Sequence, residues 1–125
     1  MATEDAREDL LLVFTNAADG REDEFHQWYD DTHIPDVLAV PGVASAQRYV
    51  VAPIETPEVE GAPVPEPPAH GFLVAYTLDR DGNEVMDEFV ARISSGQMQV
   101  SDVMDFATVA MSVWQPIGTR RVAED

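Results

Sequence analysis

Residues 19–49 read DGREDEFHQWYDDTHIPDVLAVPGVASAQRY, and the way this stretch folds decides how the rest can pack around it. Phe25, Trp28, Tyr29 and Thr32 recur at i, i+3, i+4 and i+7, the spacing of a helix buried along one face. Asp19 and Glu22 have the spacing of a capping box, and Glu22, Asp23 and Glu24 place negative charge where the helix dipole favours it. Pro35 has no N–H to give and restricts Ile34 to extended geometry. The helix is therefore expected to break over residues 32–34 and to restart as a short turn through residues 35–38. Pro41 and Gly42 end that turn and launch a strand over residues 43–51. His33 then sits at a helix C-terminus beside Asp30 and Asp31, the densest group of titratable side chains at an irregular backbone point in the chain.

Working outward, residues 1–9 are acidic and expected to form a loose tail, whereas residues 10–14 (LLLVF) read as a central strand covered on both faces. The strand after Pro41-Gly42 alternates Ala44, Ala46, Arg48, Val50 against Val43, Ser45, Gln47, Tyr49, so a polar group points at a packed surface or a cavity. Residues 53–70 (PIETPEVEGAPVPEPPAH) hold six of the nine prolines and form an extended, solvated loop, either passive or a pocket lid. Residues 71–78 make a third strand with Phe72, Val74, Tyr76 and Leu78 on one face. Residues 84–95 make a second amphipathic helix with Val85, Met86, Phe89, Val90 and Ile93 inward. A short extra helix capped by Ser101 is expected within residues 97–106, a fourth strand over 107–115, and a charged tail from 118. The result is one domain spanning 1–125, with a core of about 10–116: a βαββαβ, α+β fold with helices on one face of an antiparallel sheet. The other face also carries apolar residues, so a homodimer formed sheet to sheet is expected.

Composition removes whole classes of function. The 125 residues contain no cysteine, which excludes disulfides, thiol catalysis and thiolate metal sites. All seven basic residues are arginine, so no lysine can form a Schiff base. A formal net charge of −17 argues against nucleic acid and anionic membrane as partners. No apolar run approaches the ~18 residues that span a bilayer, and the acidic start is unlike a signal peptide, so a cytoplasmic protein is expected. The phosphate-binding glycine motifs and the G-x-S-x-G nucleophile elbow are absent.

Three constellations remain. His33 with Asp30, Asp31 and Tyr29 could form an acid/base group oriented by a carboxylate, or His33 could simply cap a helix end. His26, Asp30 and His33 share one helical face at metal-ligand spacing, but a solvated His26 beside Glu22 and Asp30 accounts for the pattern and no metal is expected. His70 and Tyr76 flank the third strand. Arg48, the one cation inside a strand, could polarise a carbonyl or pair with an aspartate of the helix.

The run WYDDTHIPDVLAVPGVASAQRY, with Phe25, Trp28, Tyr29, His33, Pro35, Pro41, Gly42 and Arg48 in place, resembles the first helix and second strand of EthD-type proteins of the dimeric α/β-barrel superfamily. The resemblance implies a ferredoxin-like protomer that pairs its sheet with a second copy. It leaves the reaction open, because this superfamily hosts several chemistries. The leading expectation is a small cofactor-independent enzyme holding a hydrophobic, oxygenated ring compound in a barrel cavity and catalysing proton transfer of the isomerase, cyclase, dehydratase or lyase type. His33 would be the acid/base and Asp30 or Asp31 its orienter. Tyr29, Arg48 or Tyr76 would polarise a carbonyl, with Trp28 and Trp114 lining the pocket. The alternatives are a non-catalytic carrier or regulatory protein of the same fold, and a cofactorless or haem-dependent monooxygenase.

Overall fold

Strand register sorts the apolar residues onto two sheet faces and so fixes where a site can form. The computed structural model describes residues 8–55 and 59–124; most of the expected N-terminal tail and part of the proline-rich loop lie outside the described residues. Strands β1 (Asp9–Thr15), β2 (Val43–Val50), β3 (Phe72–Leu78) and β4 (Ala110–Trp114) form one antiparallel sheet in the order β2-β3-β1-β4. With α1 (Glu22–Trp28) and α2 (Ile34–Leu38) between β1 and β2, and α3 (Gly82–Ser94) between β3 and β4, the connectivity is the ferredoxin-like βαββαβ.

Directly paired residues share a face. Leu11 pairs with Tyr76 and Val113, Val13 with Val74 and Met111, and Arg48 with Val74, which defines the face the helices cover. Leu11, Val13, Val74, Tyr76 and Leu78 there join Phe25, Tyr29, Val37 and Val85 in the core. Leu10, Leu12, Phe14, Leu73, Ala75, Tyr49 and Trp114 occupy the opposite face and are half-buried or exposed. The LLLVF strand is thus covered on one face rather than two, and its burial alternates residue by residue.

The first helix departs from expectation at both ends. Its N-cap is Arg21, with no side-chain cap; instead of an Asp19 box, Arg21 bonds Glu24 (3.1 Å) and Asp102 (2.8 Å). At the other end the helix does not break. It widens into a single π turn, Tyr29–His33, in which the N–H of Ile34 reaches back five residues to the Tyr29 carbonyl, and it then resumes as α2. A proline costs a helix one N–H and crowds the carbonyl four residues earlier; a widened turn just before Pro35 accommodates both. His33 therefore lies inside a continuous helix rather than at its C-terminus, and it is buried while Thr32 is exposed.

Helix α3 starts at Gly82, capped by the Asp81 carboxylate, which accepts the Asn83 N–H at 2.8 Å. A Cβ at Gly82 would lie 2.7 Å from a Val113 methyl, so the glycine lets α3 sit close against β4. Val90, placed in the inward stripe by spacing, is exposed. No helix forms over residues 97–106. Ser101 caps a turn, Val103 and Met104 are buried, and Phe106–Thr108 make one 3₁₀ turn before β4. This segment is tied to the β1–α1 connection by Ala18 N–H to Val103 O (2.7 Å) and Asp105 N–H to Asn16 O (2.9 Å). No helix among the described residues is long and apolar enough to cross a membrane.

Candidate functional site

A cavity of about 180 Å³ lies between the covered sheet face, the widened helix, α3 and the segment before β4. Its walls are apolar except at three side chains, Tyr29, His33 and Tyr76, while Phe89, Met104 and Phe106 close its far side. The π turn supplies Tyr29 and His33, and β3 supplies Tyr76. Single π turns inside α-helices recur at functional sites because they re-aim side chains without ending the helix.

His33 is 6% exposed, and its Nδ1 is enclosed with no hydrogen-bond partner among the described residues. Two aromatic contacts hold the ring: the Trp28 indole is stacked on it at 4.5 Å and 18°, and the Tyr29 ring meets it at 5.2 Å and 87°. Burial pushes the imidazole pKa down from 6.5 to about 4, against a smaller opposing pull from Asp36. The ring is therefore neutral at physiological pH. Burial also raises both phenols, opposed at Tyr29 by the neighbouring Thr15 hydroxyl and then the Arg48 charge, and at Tyr76 by the Arg48 charge, so Tyr29 and Tyr76 stay protonated. The Tyr29 hydroxyl donates to Met104 Sδ at 3.8 Å, a soft acceptor that a ligand oxygen would readily replace.

The remaining expected site residues are distributed differently. Arg48 reaches over the back of Tyr29 (4.8 Å to the ring centroid) and over Phe25 (5.6 Å), outside the cavity wall. Its guanidinium donates to Asp30 at 3.1 Å and to His26 Nδ1 at 2.9 Å, so that ring nitrogen carries no proton. Asp30 is thus committed to Arg48 and does not orient His33, while Asp31 is exposed and makes no contact with the imidazole. Aromatic faces do the orienting that a carboxylate was expected to do. Trp28 stands behind His33 rather than in the cavity lining, and Trp114 lies on the opposite sheet face, its indole donating to Ser112 Oγ at 2.7 Å. His26, Asp30 and His33 are not brought together, and the described residues contain no group of three or more potential ligands placed to hold a metal.

His70 is remote from Tyr76's cavity. It hydrogen-bonds the Thr108 carbonyl, rests on the Phe14 ring and borders a hollow of about 400 Å³ on the uncovered sheet face. Among its described residues the proline-rich loop contributes to that hollow and nothing to the Tyr29–His33–Tyr76 cavity. Sequence reading missed Met104 and Phe106 as cavity residues; the apolar cluster at 103–106 was the available signal, and it pointed to a helix.

Comparison with known proteins follows the same stretch. A model of the EthD domain matches residues 19–110. The crystal structure of an ethyl tert-butyl ether D (EthD) family protein from Bacillus halodurans aligns at 12% identity and a TM-score of 0.46, covering 87% of this chain and 99% of that one. No functionally curated protein matches. Because the domain match runs from the start of the first helix to the start of β4, well over half of the 125 residues, the chain belongs to the EthD family.

Proposed function

We propose that this EthD-family protein holds a small oxygenated ring compound in the Tyr29–His33–Tyr76 cavity and acts on it by proton transfer, without a cofactor. The observation that carries this reading is a buried, neutral imidazole with no hydrogen bond of its own, bordering an apolar cavity beside two protonated phenols. Unsatisfied buried polar atoms are costly and uncommon, and they mark places where a ligand completes the hydrogen bonding. Size supports a single ring: an apolar cavity of about 150 Å³ accepts a benzene, and this one measures about 180 Å³. Tyr29 and Tyr76 would bind the ligand oxygen and His33 would serve the proton transfer within largely apolar walls. Isomerisation, cyclisation, dehydration and related lyase steps all belong to this class.

A second reading, a carrier without turnover, is favoured by one specific observation. No carboxylate orients His33, and an imidazole with a pKa of about 4 is a weaker base than neutral-pH catalysis favours. One experiment separates the two. Phenol, catechol and cyclohexanone are titrated into a Trp114→Phe variant, with Trp28 fluorescence reporting occupancy beside His33. Ring compounds that bind are then tested for solvent deuterium exchange. Binding with exchange that falls about 100-fold in His33→Ala supports the enzyme. Binding with no exchange in either protein supports the carrier, and no binding by any of the three removes the cavity from consideration.

A further inference from the structure

The three polar side chains around the cavity differ in chemistry from an ordinary acid/base pair. The two phenols are protonated, and each has an O–H to give. Tyr29 spends its hydrogen on Met104 Sδ, the weakest acceptor in the protein's repertoire, and Tyr76 makes no hydrogen bond with any described residue. For the imidazole, the question is which nitrogen carries the single proton. Nδ1 is enclosed and has no partner, which leaves Nε2 as the nitrogen able to meet a ligand. Were the proton on Nδ1, the protein would bury an N–H with nothing to accept it, the rarer and more costly kind of orphan; with a lone pair there, only an acceptor goes unsatisfied. Trp28 stacked on one face and Tyr29 against the ring hold the plane of the imidazole in place. Among the described residues no arginine or carboxylate is in the lining, and Arg48 stands behind Tyr29 with Asp30 and His26.

We infer that His33 meets the ligand as a neutral hydrogen-bond donor through Nε2–H, and that the cavity takes an uncharged ring bearing a carbonyl oxygen, on which His33, Tyr29 and Tyr76 converge as donors. A carbonyl oxygen brings no proton, and its two lone pairs take two of the three donors while Tyr29 keeps Met104 Sδ as an alternative acceptor, so it fits this set better than a hydroxyl or an ammonium does. The burial that depresses the imidazole pKa keeps the ring un-ionised at neutral pH, consistent with this role. A neutral imidazole donating to a carbonyl stabilises charge developing on that oxygen; His33 then serves the proton transfer as its electrophilic partner, and the proton lost from carbon passes to solvent water. This deepens the proposed function and rests on the cavity being a ligand site, so the test is arranged to separate the two.

The experiment uses the full chain, uniformly labelled with ¹⁵N and ¹³C, at neutral pH. Long-range ¹H–¹⁵N correlation reads the tautomer of His33 before any ligand is added. The expected pattern is an unprotonated Nδ1 and a protonated Nε2; a protonated Nδ1, alone or in an imidazolium, overturns the inference without touching the cavity reading. Cyclohexanone and toluene are then added in turn. Shifts of the Val37 and Ile93 methyls, both in the lining, report occupancy. Cyclohexanone should move the Nε2–H proton downfield, and toluene should not. Cyclohexanone seated among those methyls with Nε2–H unmoved overturns the inference, while silence from the methyls with both compounds overturns the cavity reading and the inference with it. Two variants supply a second readout, with melting temperatures checked first. His33→Gln keeps an N–H donor and should hold cyclohexanone within about 3-fold, whereas His33→Leu should lose about 10-fold. Toluene should bind His33→Leu no worse than the native protein; equal losses for both compounds would mean that the ring merely packs, and would overturn the inference.

Discussion

The two faces of the sheet carry the same kind of side chain and meet different fates. On the covered face Leu11, Val13, Val74 and Tyr76 are sealed by helices, and on the other Leu10, Leu12, Phe14 and Leu73 are only half-buried. Among the described residues, helices cover one face and none covers the second. The largest effect should come from comparing neighbours across that divide. Leu11→Ala is expected to cost about 2–5 kcal/mol at any protein concentration, because it strips a buried side chain from the core and enlarges the cavity beside it. Leu12→Ala in a lone protomer should cost about 1 kcal/mol or less, but in a sheet-to-sheet homodimer its cost should approach that of Leu11→Ala at high concentration and shrink on dilution. Denaturation of both variants at two concentrations measures this, and light scattering that returns the 13.8 kDa of one chain would remove the dimer. If the dimer forms, its interface should bury on the order of 1,600 Å², and added salt should tighten it or leave it unchanged by screening the −17 charge on each chain.

The next effect sharpens what the covered face encloses. His33 has a folded pKa of about 4, below its ordinary 6.5, so the folded protein binds fewer protons than the unfolded chain between those values. Its contribution is complete above about pH 6.5 and is lost as pH falls toward 4. That amounts to about 3 kcal/mol. Urea titrations at about pH 7 and about pH 4.5 should therefore show a larger acid-side loss in the native protein than in His33→Leu. A smaller effect tests Arg48, the cation at the margin of the same face. Arg48→Met keeps the apolar stem and should cost about 1–2 kcal/mol, while Asp30→Asn should cost no more than about 0.5 kcal/mol, because the carboxylate is exposed and the aromatic rings are not. Equal costs would mean that the ion pair, not the ring contact, fixes Arg48. The smallest effect is expected in the proline-rich loop, where Ile54 and Val64 are exposed. Replacing residues 59–67 with a short Gly-Ser turn should change stability by under about 0.5 kcal/mol.

The fold was legible because strands and helices announce themselves by period. Val74, Tyr76 and Leu78 alternate onto the buried face as their spacing indicated, and Pro41-Gly42 marks a real turn, whereas Asp81-Gly82 opens helix α3. What escaped depends on partners distant in sequence. Asp30 chooses Arg48, eighteen residues away on β2, over its helical neighbour His33, because a guanidinium offers it a charged donor at 3.1 Å. Segment 97–106 carries a helical apolar pattern, yet its backbone groups are taken by Asn16 and Ala18 of the β1–α1 connection, which leaves them unavailable for helical bonds. Trp114 and Met111 belong to one strand and to opposite faces, and only the pairing register decides which of them reaches the cavity. The proline-induced irregularity was visible at Pro35, but a break and a widened turn look alike until the Ile34 N–H is seen to find the Tyr29 carbonyl.

That widened turn also has a meaning in rotational phase. Phe25, Tyr29, His33 and Val37 stand four residues apart, and all four are buried. In an unbroken α-helix every step of four overshoots a full turn by roughly 40°, so three steps would carry Val37 roughly 120° away from Phe25 and off the core. The π turn absorbs the drift by taking one residue more than an α turn needs. Counted this way, the first helix is an ordinary amphipathic helix with a single-residue insertion, and exposed Thr32 is the natural candidate for the surplus residue. Removing Thr32 would restore α geometry and keep the buried line intact, but it would draw His33 about 1.5 Å along the axis toward Tyr29. The spacing between imidazole and phenol, and with it how the two rings line one side of the cavity, is set by that one inserted residue.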